Sequence, residues 1–282
     1  MFDSIAGDYD SLNHILSLDV DKIWRKKALK QIVDAPAPAR VLDLACGTGD
    51  FSIAIAKALS RSHKRVGTPI EAHVKAPAKA PVEAPVKAPV EAPAKVPVEA
   101  QVTSTGFVTG DSGRSDLMTK GHVTGVDLSE GMLAVMREKV AKAGLTEMIS
   151  IEEGDGENLR FPDNTFDRVT IAFGIRNFEN REKGLREMLR VLKPGGRLVI
   201  LELSRPENKI IRWFYDIYFL HILPKVGGKV SGDKAAYAYL PASVAAFPGK
   251  KAFMATMREA GFRAVTHKAF TLGICRMYTG EK

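Results

Sequence analysis

Two cysteines, Cys46 and Cys275, are all that the 282 residues carry. They are too few for a disulfide framework or, by themselves, a zinc site, so a reducing cytoplasm is the expected compartment and no metal is expected. Aromatic residues make up only 7% of the chain. No apolar run reaches the ~18 residues that a membrane span needs. The opening MFDSIAGDYD is acidic and mixed rather than basic then apolar, which argues against a signal peptide. Lysine and arginine exceed aspartate and glutamate by 41 to 33, a net charge of +8. The basic residues are nevertheless spread along the chain and form no stripe interleaved with aromatics, so nucleic acid is not an expected partner.

Proline is unevenly placed, and that organises the chain. Seven of the 15 prolines fall between Pro69 and Pro97. From Lys75 to Val102 a four-residue unit repeats, KAPA KAPV EAPV KAPV EAPA KVPV EAQV. Proline in six of the seven units removes a backbone donor and disfavours helix in the residue before it, so an extended, polyproline-like chain is expected. Lys75, Lys79, Lys87 and Lys95 balance Glu71, Glu83, Glu91 and Glu99, and the basic excess therefore belongs to the rest of the chain. The repeat reads as a low-complexity surface insertion, which costs little in loop-closure entropy, rather than as a ligand for a proline-recognising groove. The Gly/Ser/Thr-rich stretch Thr103–Lys120 reads as loop as well. The expectation is one domain over 1–282, interrupted by a disordered insertion at 61–120; without it about 220 residues remain, enough for one α/β domain.

The flanks alternate between strand and helix patterns. Arg40–Leu44 is a short apolar run ending in CGTGD, after which Phe51, Ile53, Ala54 and Ala58 recur at helical spacing. His122–Val126 is a second strand ending at Asp127, with Ser129 placed to cap a helix to about Ala143. Ile149–Glu152 and Phe166–Phe173 are further strands. Asn180 precedes a helix striped by Leu185, Met188, Leu189 and Leu192, which Lys193-Pro-Gly-Gly196 stops before a strand at Arg197–Leu203. Such alternation predicts a parallel sheet with helices on both faces and a ligand at the carboxyl ends of its strands.

Charge narrows the ligand. Gly47-Thr48-Gly49 lets backbone approach a ligand closely, but Ser52 stands where a dinucleotide fingerprint needs its third glycine. Asp50 would place a carboxylate where a pyrophosphate should sit, and Asp43, Asp127, Asp155 and Glu157 lie at or near the other strand ends. Any one acid reads as a cap or turn residue; the set at successive strand ends does not. S-adenosylmethionine fits, because its sulfonium and ammonium outweigh its carboxylate and it carries no phosphate. Asp127, ending the second strand, is placed to accept both ribose hydroxyls.

The motifs VLDLACGTGDFS, GVDLSEGML, GDGENLRFPDNTFD, FGIRNF and EMLRVLKPGGRLVILELS resemble those of class I methyltransferases, closest to the menaquinone/ubiquinone biosynthesis C-methyltransferase family. MFDSIAGDYDSLNHILSLDVDKIWRKKAL and YAYLPASVAAFPG resemble that family's N-terminal and later segments, so the likeness spans nearly the whole chain outside about 60–120. It implies a Rossmann-like sheet with N-terminal helices and an apolar cap segment. It also implies S-adenosylmethionine as cofactor, with Thr48 and the Gly47/Gly49 backbone at its methionine part, Asp127 at the ribose, Asp155 and Gly156 at the adenine, and Ala172 lining the pocket; Asp43 is a further cofactor candidate. Two departures from the family stand out. Asp127 follows Thr48 by 79 residues, far more than the family's interval, and Gly156 stands where alanine is commoner.

The implied reaction is methyl transfer to a ring carbon of a lipid quinol, most directly demethylmenaquinol to menaquinol. A hydroquinone carbon becomes nucleophilic once a phenolic proton is lost, and Arg176 and Asn177, in the loop after the fourth strand, are the catalytic candidates: Arg176 to stabilise the phenolate, directly or through a water, and Asn177 to orient it. The competing reading pairs Arg176 with a structural carboxylate and makes Asn177 a turn cap. His221, Tyr237 and Tyr239 are lesser candidates for the base. Ile210–Leu223 holds eleven apolar or aromatic residues in fourteen. It reads either as a buried helix with an Arg212–Asp216 pair, or as a lid for an isoprenoid tail in transient contact with the inner face of the plasma membrane. A methyltransferase for another phenol, a sterol or RNA would share the cofactor motifs, and a non-catalytic scaffold using the proline repeat is a separate class. The sequence leaves the oligomeric state open.

Overall fold

A computed structural model describes residues 19–36, 38–66, 121–219 and 234–282, with backbone alone at 62–66 and 234–238. The proline repeat, the stretch after it, and His221 lie outside the described residues, as does the Tyr237 side chain. In chain order the elements are helix α1 (Val20–Ile32), strand β1 (Arg40–Leu44), α2 (Asp50–Val66), β2 (His122–Asp127), α3 (Glu130–Lys142), β3 (Ile149–Glu153) and β4 (Phe166–Ala172). A 3-10 turn at Ile175–Asn177 leads to α4 (Arg181–Val191), β5 (Leu192–Leu203), α5 (Lys209–Ile217), α6 (Lys234–Ala246) and α7 (Lys250–Glu259). The chain ends with β6 (Arg263–Phe270), a 3-10 turn at Thr271–Gly273 and β7 (Cys275–Glu281). Residues 61–66, expected to open the insertion, continue α2 instead.

The strands form one sheet in the order β3-β2-β1-β4-β5-β7-β6. β1 to β5 pair in parallel, as the alternation of strand and helix predicts. Beyond the five strands read from the sequence two more close the far edge, where β7 runs antiparallel to both β5 and β6. The reason is connectivity: only a short turn separates β6 from β7, too little chain for a crossover. β5 also begins earlier than the pattern predicts. Leu192 already pairs with Phe166, and the register slips before Arg197 meets Arg168, so Pro194–Gly196 form an irregularity inside the strand rather than a loop before it.

Period-two alternation divides the sheet residues between two cores. Val41, Val123, Val199 and Leu201 face Trp24, Ile55, Leu133 and Met136 of α1, α2 and α3. Leu42, Leu44, Val169, Ile171, Leu198 and Ile200 face Leu185, Met188, Phe253 and Met257 of α4 and α7. The anticipated caps form: the Ser129 hydroxyl accepts from Met132 N–H at 3.2 Å, and the Asn180 side chain from Lys183 N–H at 2.9 Å. Because β1 lies between β2 and β4, connections leave it in opposite directions, and a crevice opens at the carboxyl ends of β1 and β4.

Candidate active site

The site begins where β1 ends. Ala45, Gly47 and Gly49 all take positive φ (49°, 56° and 83°), turning the chain sharply into α2. Gly47 N–H donates to Asp127 Oδ2 at 2.8 Å, and the other oxygen of that carboxylate accepts from Ser129 N–H at 3.0 Å. Asp127 thus ties together two strand ends that the sequence separates widely. Gly49 has a packing role: a Cβ there would stand 2.4 Å from Met136 Cγ. Behind the turn Asp43 is buried, accepting from the Ser52 hydroxyl at 2.5 Å. Burial pushes its carboxyl up to about 7; the Ser52 bond and the Arg25 guanidinium oppose this and the Asp127 charge adds to it. Burial, with Asp43 and Asp127 nearby, also pushes the Cys46 thiol up, away from thiolate reactivity.

Two cavities meet at this turn. One, of about 470 Å³, is the more polar of the two and includes Asp127, Asp155, Gly156, Glu157, Asn177 and Phe178 in its walls. The other, of about 450 Å³, is apolar over most of its surface, with Trp24, Ile211, Phe214, Tyr215, Leu240 and Leu272 contributed by four separate segments. Asp43 and Thr48 border the second cavity, and Ala45, Gly47, Ala172 and Phe173 line both. Phe173 is a non-glycine residue at φ 64°, a strained conformation of the kind that clusters at working sites. Its ring lies 6.2 Å from Trp24 and carries the Arg25 guanidinium 5.6 Å from its centroid.

The adjacent residues Arg176 and Asn177 open to different cavities, Arg176 to the apolar one and Asn177 to the polar one. Arg176 is buried and heavily engaged: Nη1 donates to Glu202 Oε1 at 2.8 Å and to the Phe173 carbonyl, and Nε to Ser243 Oγ at 3.3 Å. Asn177 Oδ1 accepts from the Tyr239 hydroxyl at 3.0 Å. A polar cavity of strand-end carboxylates fused to an apolar one suits a cationic cofactor beside a greasy substrate.

Comparison with known proteins gives this arrangement its family. The model of the ubiE/COQ5 methyltransferase family matches residues 1–92 and 102–282. The ubiquinone/menaquinone biosynthesis C-methyltransferase UbiE of Geobacter sulfurreducens is 40% identical over 100% of this chain and 87% of its own. The demethylmenaquinone methyltransferase of Bacteroides fragilis is 37% identical over 100% of this chain and 91% of its own. The chain belongs to the ubiE/COQ5 methyltransferase family. It is accordingly an S-adenosylmethionine-dependent methyltransferase. A methyltransferase from Aquifex aeolicus shares the fold at TM-score 0.51 and 18% identity, covering 91% of this chain and 88% of that one. The [4+2]-cyclase SpnF does so at 0.53 and 16%, covering 91% and 80%, which illustrates that fold alone does not fix the reaction.

The methyltransferase's residues fit its cofactor. Asp127, Asp155 and Glu157 supply carboxylates without a lysine or arginine on the polar cavity's wall among the described residues, and Gly47 brings backbone close. Of the residues singled out from the sequence, Asp127, Asp155, Gly156 and Asn177 line the polar cavity, Asp43, Thr48 and Arg176 the apolar one, Gly47 both, and Gly49 neither. Gly156 has a steric reason: a Cβ there would lie 2.5 Å from Phe178 Cζ, and one at Gly184 2.5 Å from Phe178 Cδ2, so the two glycines hold the ring between them. The Arg212–Asp216 pair does not form, because Arg205 takes Asp216 at 2.5 and 3.1 Å and Arg212 Nε donates to the Pro206 carbonyl at 2.8 Å. Sequence reasoning missed Glu202, Ser243, Arg25 and the Trp24 Nε1 bond to Thr271 Oγ1 at 2.9 Å. Glu202 sits in an apolar strand and carries no local signal of its distant partner.

Proposed function

We propose that the chain methylates a ring carbon of a lipid quinol, converting demethylmenaquinol to menaquinol. What carries this reading is the apolar cavity sharing the Ala45, Gly47, Ala172 and Phe173 wall with the polar one, which gives a hydrophobic ring a berth against the cofactor site. The names of the relatives favour the same substrate. Bound S-adenosylmethionine supplies an electrophilic methyl on its sulfonium. Asp127 holds the ribose hydroxyls, Asp155 and the Gly156 backbone the adenine, and Gly47 and Thr48 the methionine part. The apolar walls exclude water from the ring. Arg176, its Nε and Nη1 held by Ser243 and Glu202, offers its Nη2 N–H groups to a phenolate oxygen, and Asn177, its carbonyl oxygen engaged by Tyr239, offers its amide N–H to an oxygen. The purified chain, given S-adenosylmethionine and detergent-solubilised demethylmenaquinol, is expected to yield methylated menaquinone by mass spectrometry; cofactor binding without that product would overturn the substrate.

A quinol with an isoprenoid tail resides in a bilayer, and α5 suits contact with one. Among the described residues no helix is long and apolar enough to cross a membrane. On α5, however, Ile210, Trp213 and Phe214 are 70, 60 and 62% exposed, with Lys209 and Arg212 on the same helix. Phe214 also lines the apolar cavity, so the same helix joins the surface to the berth. The working enzyme then rests at the inner face of the plasma membrane. Co-sedimentation with anionic vesicles tests this, and loss of that binding in Trp213→Ser with folding intact is the expected result.

A further inference from the structure

The methionine end of S-adenosylmethionine carries a carboxylate as well as an ammonium, and the turn residues supply no cation for it. We infer that Arg25, on the N-terminal helix α1, binds that carboxylate; the inference rests on the cofactor assignment above and adds a residue to it. Among the described residues two guanidinium groups line the apolar cavity beside Gly47 and Thr48, those of Arg25 and Arg176. Arg176 is committed, with Glu202 at 2.8 Å, Ser243 at 3.3 Å and the Phe173 carbonyl all accepting from it. Arg25 is less so. Among the described residues its Nε is buried without a hydrogen-bond partner, and its two ion pairs are long, to Asp21 at 3.5 Å and to Asp50 at 4.0 Å. Lys139 lies near Thr48 but is engaged with the Asp50 carboxylate and does not line the cavity.

Besides these ion pairs, the Phe173 ring lies under Arg25, its centroid 5.6 Å from the guanidinium carbon. An aromatic face retains a cation while leaving the N–H edges of the guanidinium available, the arrangement that a carboxylate clamp needs. Both signs of charge line this wall, where Asp21 and Asp50 join Asp43 and Arg25. Asp43, on the same cavity wall, suits the ammonium, and Arg25 the carboxylate, so an amino-acid group lying across Gly47 and Thr48 meets both signs. Trp24, next in the chain to Arg25, bonds Thr271, which fixes α1 over the turn.

The test compares ligands with and without the carboxylate. By calorimetry on the full chain, Arg25→Gln is expected to weaken S-adenosylmethionine and S-adenosylhomocysteine about ten- to hundredfold. Decarboxylated S-adenosylmethionine, which keeps the sulfonium and the amine, is expected to lose less than about threefold, because the contact removed is one it never makes. Arg25→Lys recovers part of the loss, as a point charge without the fork. Thermal unfolding monitors the fold of each variant. Equal losses for all three ligands, the mark of a displaced α1, overturn the inference, as does unchanged affinity for S-adenosylmethionine. A wild-type chain that takes up none of the three refutes the cofactor assignment itself, and the inference with it.

Discussion

The two cavities are built in opposite ways. The polar one draws its walls from the ends of β1, β2 and β3 and from the turns that follow, with Asp127 where β2 stops and Asp155 just past β3. The apolar one is assembled from α1, α5, α6 and the Thr271–Gly273 turn, segments that meet only in the folded molecule. Backbone connectivity and short hydrogen bonds fix the first; side-chain packing and the Arg176–Glu202 pair fix the second. A mutation at the strand-end carboxylates should therefore act on cofactor affinity, and one in the helical walls of the apolar cavity, away from Arg25, Asp43 and Thr48, on the substrate.

The sharpest way to break that separation is Asp127→Ala. It removes the ribose acceptor and strands the Gly47 and Ser129 N–H groups, so S-adenosylmethionine affinity should fall by about a hundredfold or more. Binding of a quinone analogue, followed by Trp24 and Trp213 fluorescence, should persist; its equal loss would mean that the cavities do not behave as separate sites. Next in size is Gly156→Ala, which drives a methyl group into the Phe178 ring held by Gly184. Overpacking of this kind should cost about 1–3 kcal/mol, read as a lowered Tm that saturating cofactor restores only in part.

A third test uses pH. With its carboxyl raised to about 7, Asp43 is protonated below that value in the free protein and ionised above it. A cationic ligand prefers the ionised form, so affinity should climb as pH rises through 7 and be about tenfold lower at pH 6 than at pH 8. The fold itself follows the opposite sign: a folded-state value above the unfolded one makes Asp43 favour folding at low pH and lose that contribution as pH rises to about 7. Asp43→Asn should flatten both profiles; profiles that kept their slope would exonerate Asp43. The smallest expected effect is that of Phe214→Ser, a residue 62% exposed at the rim of the apolar cavity. It should raise KM for a long-tailed quinol by about three- to tenfold and leave cofactor affinity unchanged, since little apolar area is lost. A shift in cofactor affinity instead would tie α5 to the polar side.

Legibility in the sequence follows the same division. Asp127 and Ser129 could be read because a strand end, a turn and a cap announce themselves within a few residues. Arg176 stands out by its place after β4, and its pairing with a structural carboxylate is one of its two readings; that the carboxylate is Glu202 is not legible, since nothing local links a loop arginine to a glutamate 26 residues on. The expected Arg212–Asp216 pair obeyed helical spacing and still failed, because Arg205 reaches Asp216 from outside the helix. Gly156 looked like a departure from its family until the Phe178 ring supplied the reason.

By itself the sequence determined the alternation of strand and helix, the acids at or near the ends of the first three strands and therefore the sign of charge a cofactor must carry; these depend on spacing and residue type within one element. Only the tertiary structure decided which way β7 runs, which guanidinium is the more engaged and which the less, and that an apolar cavity abuts the carboxylates. Those are contacts between residues far apart in the chain, and they exist only once the two cores have packed against the sheet.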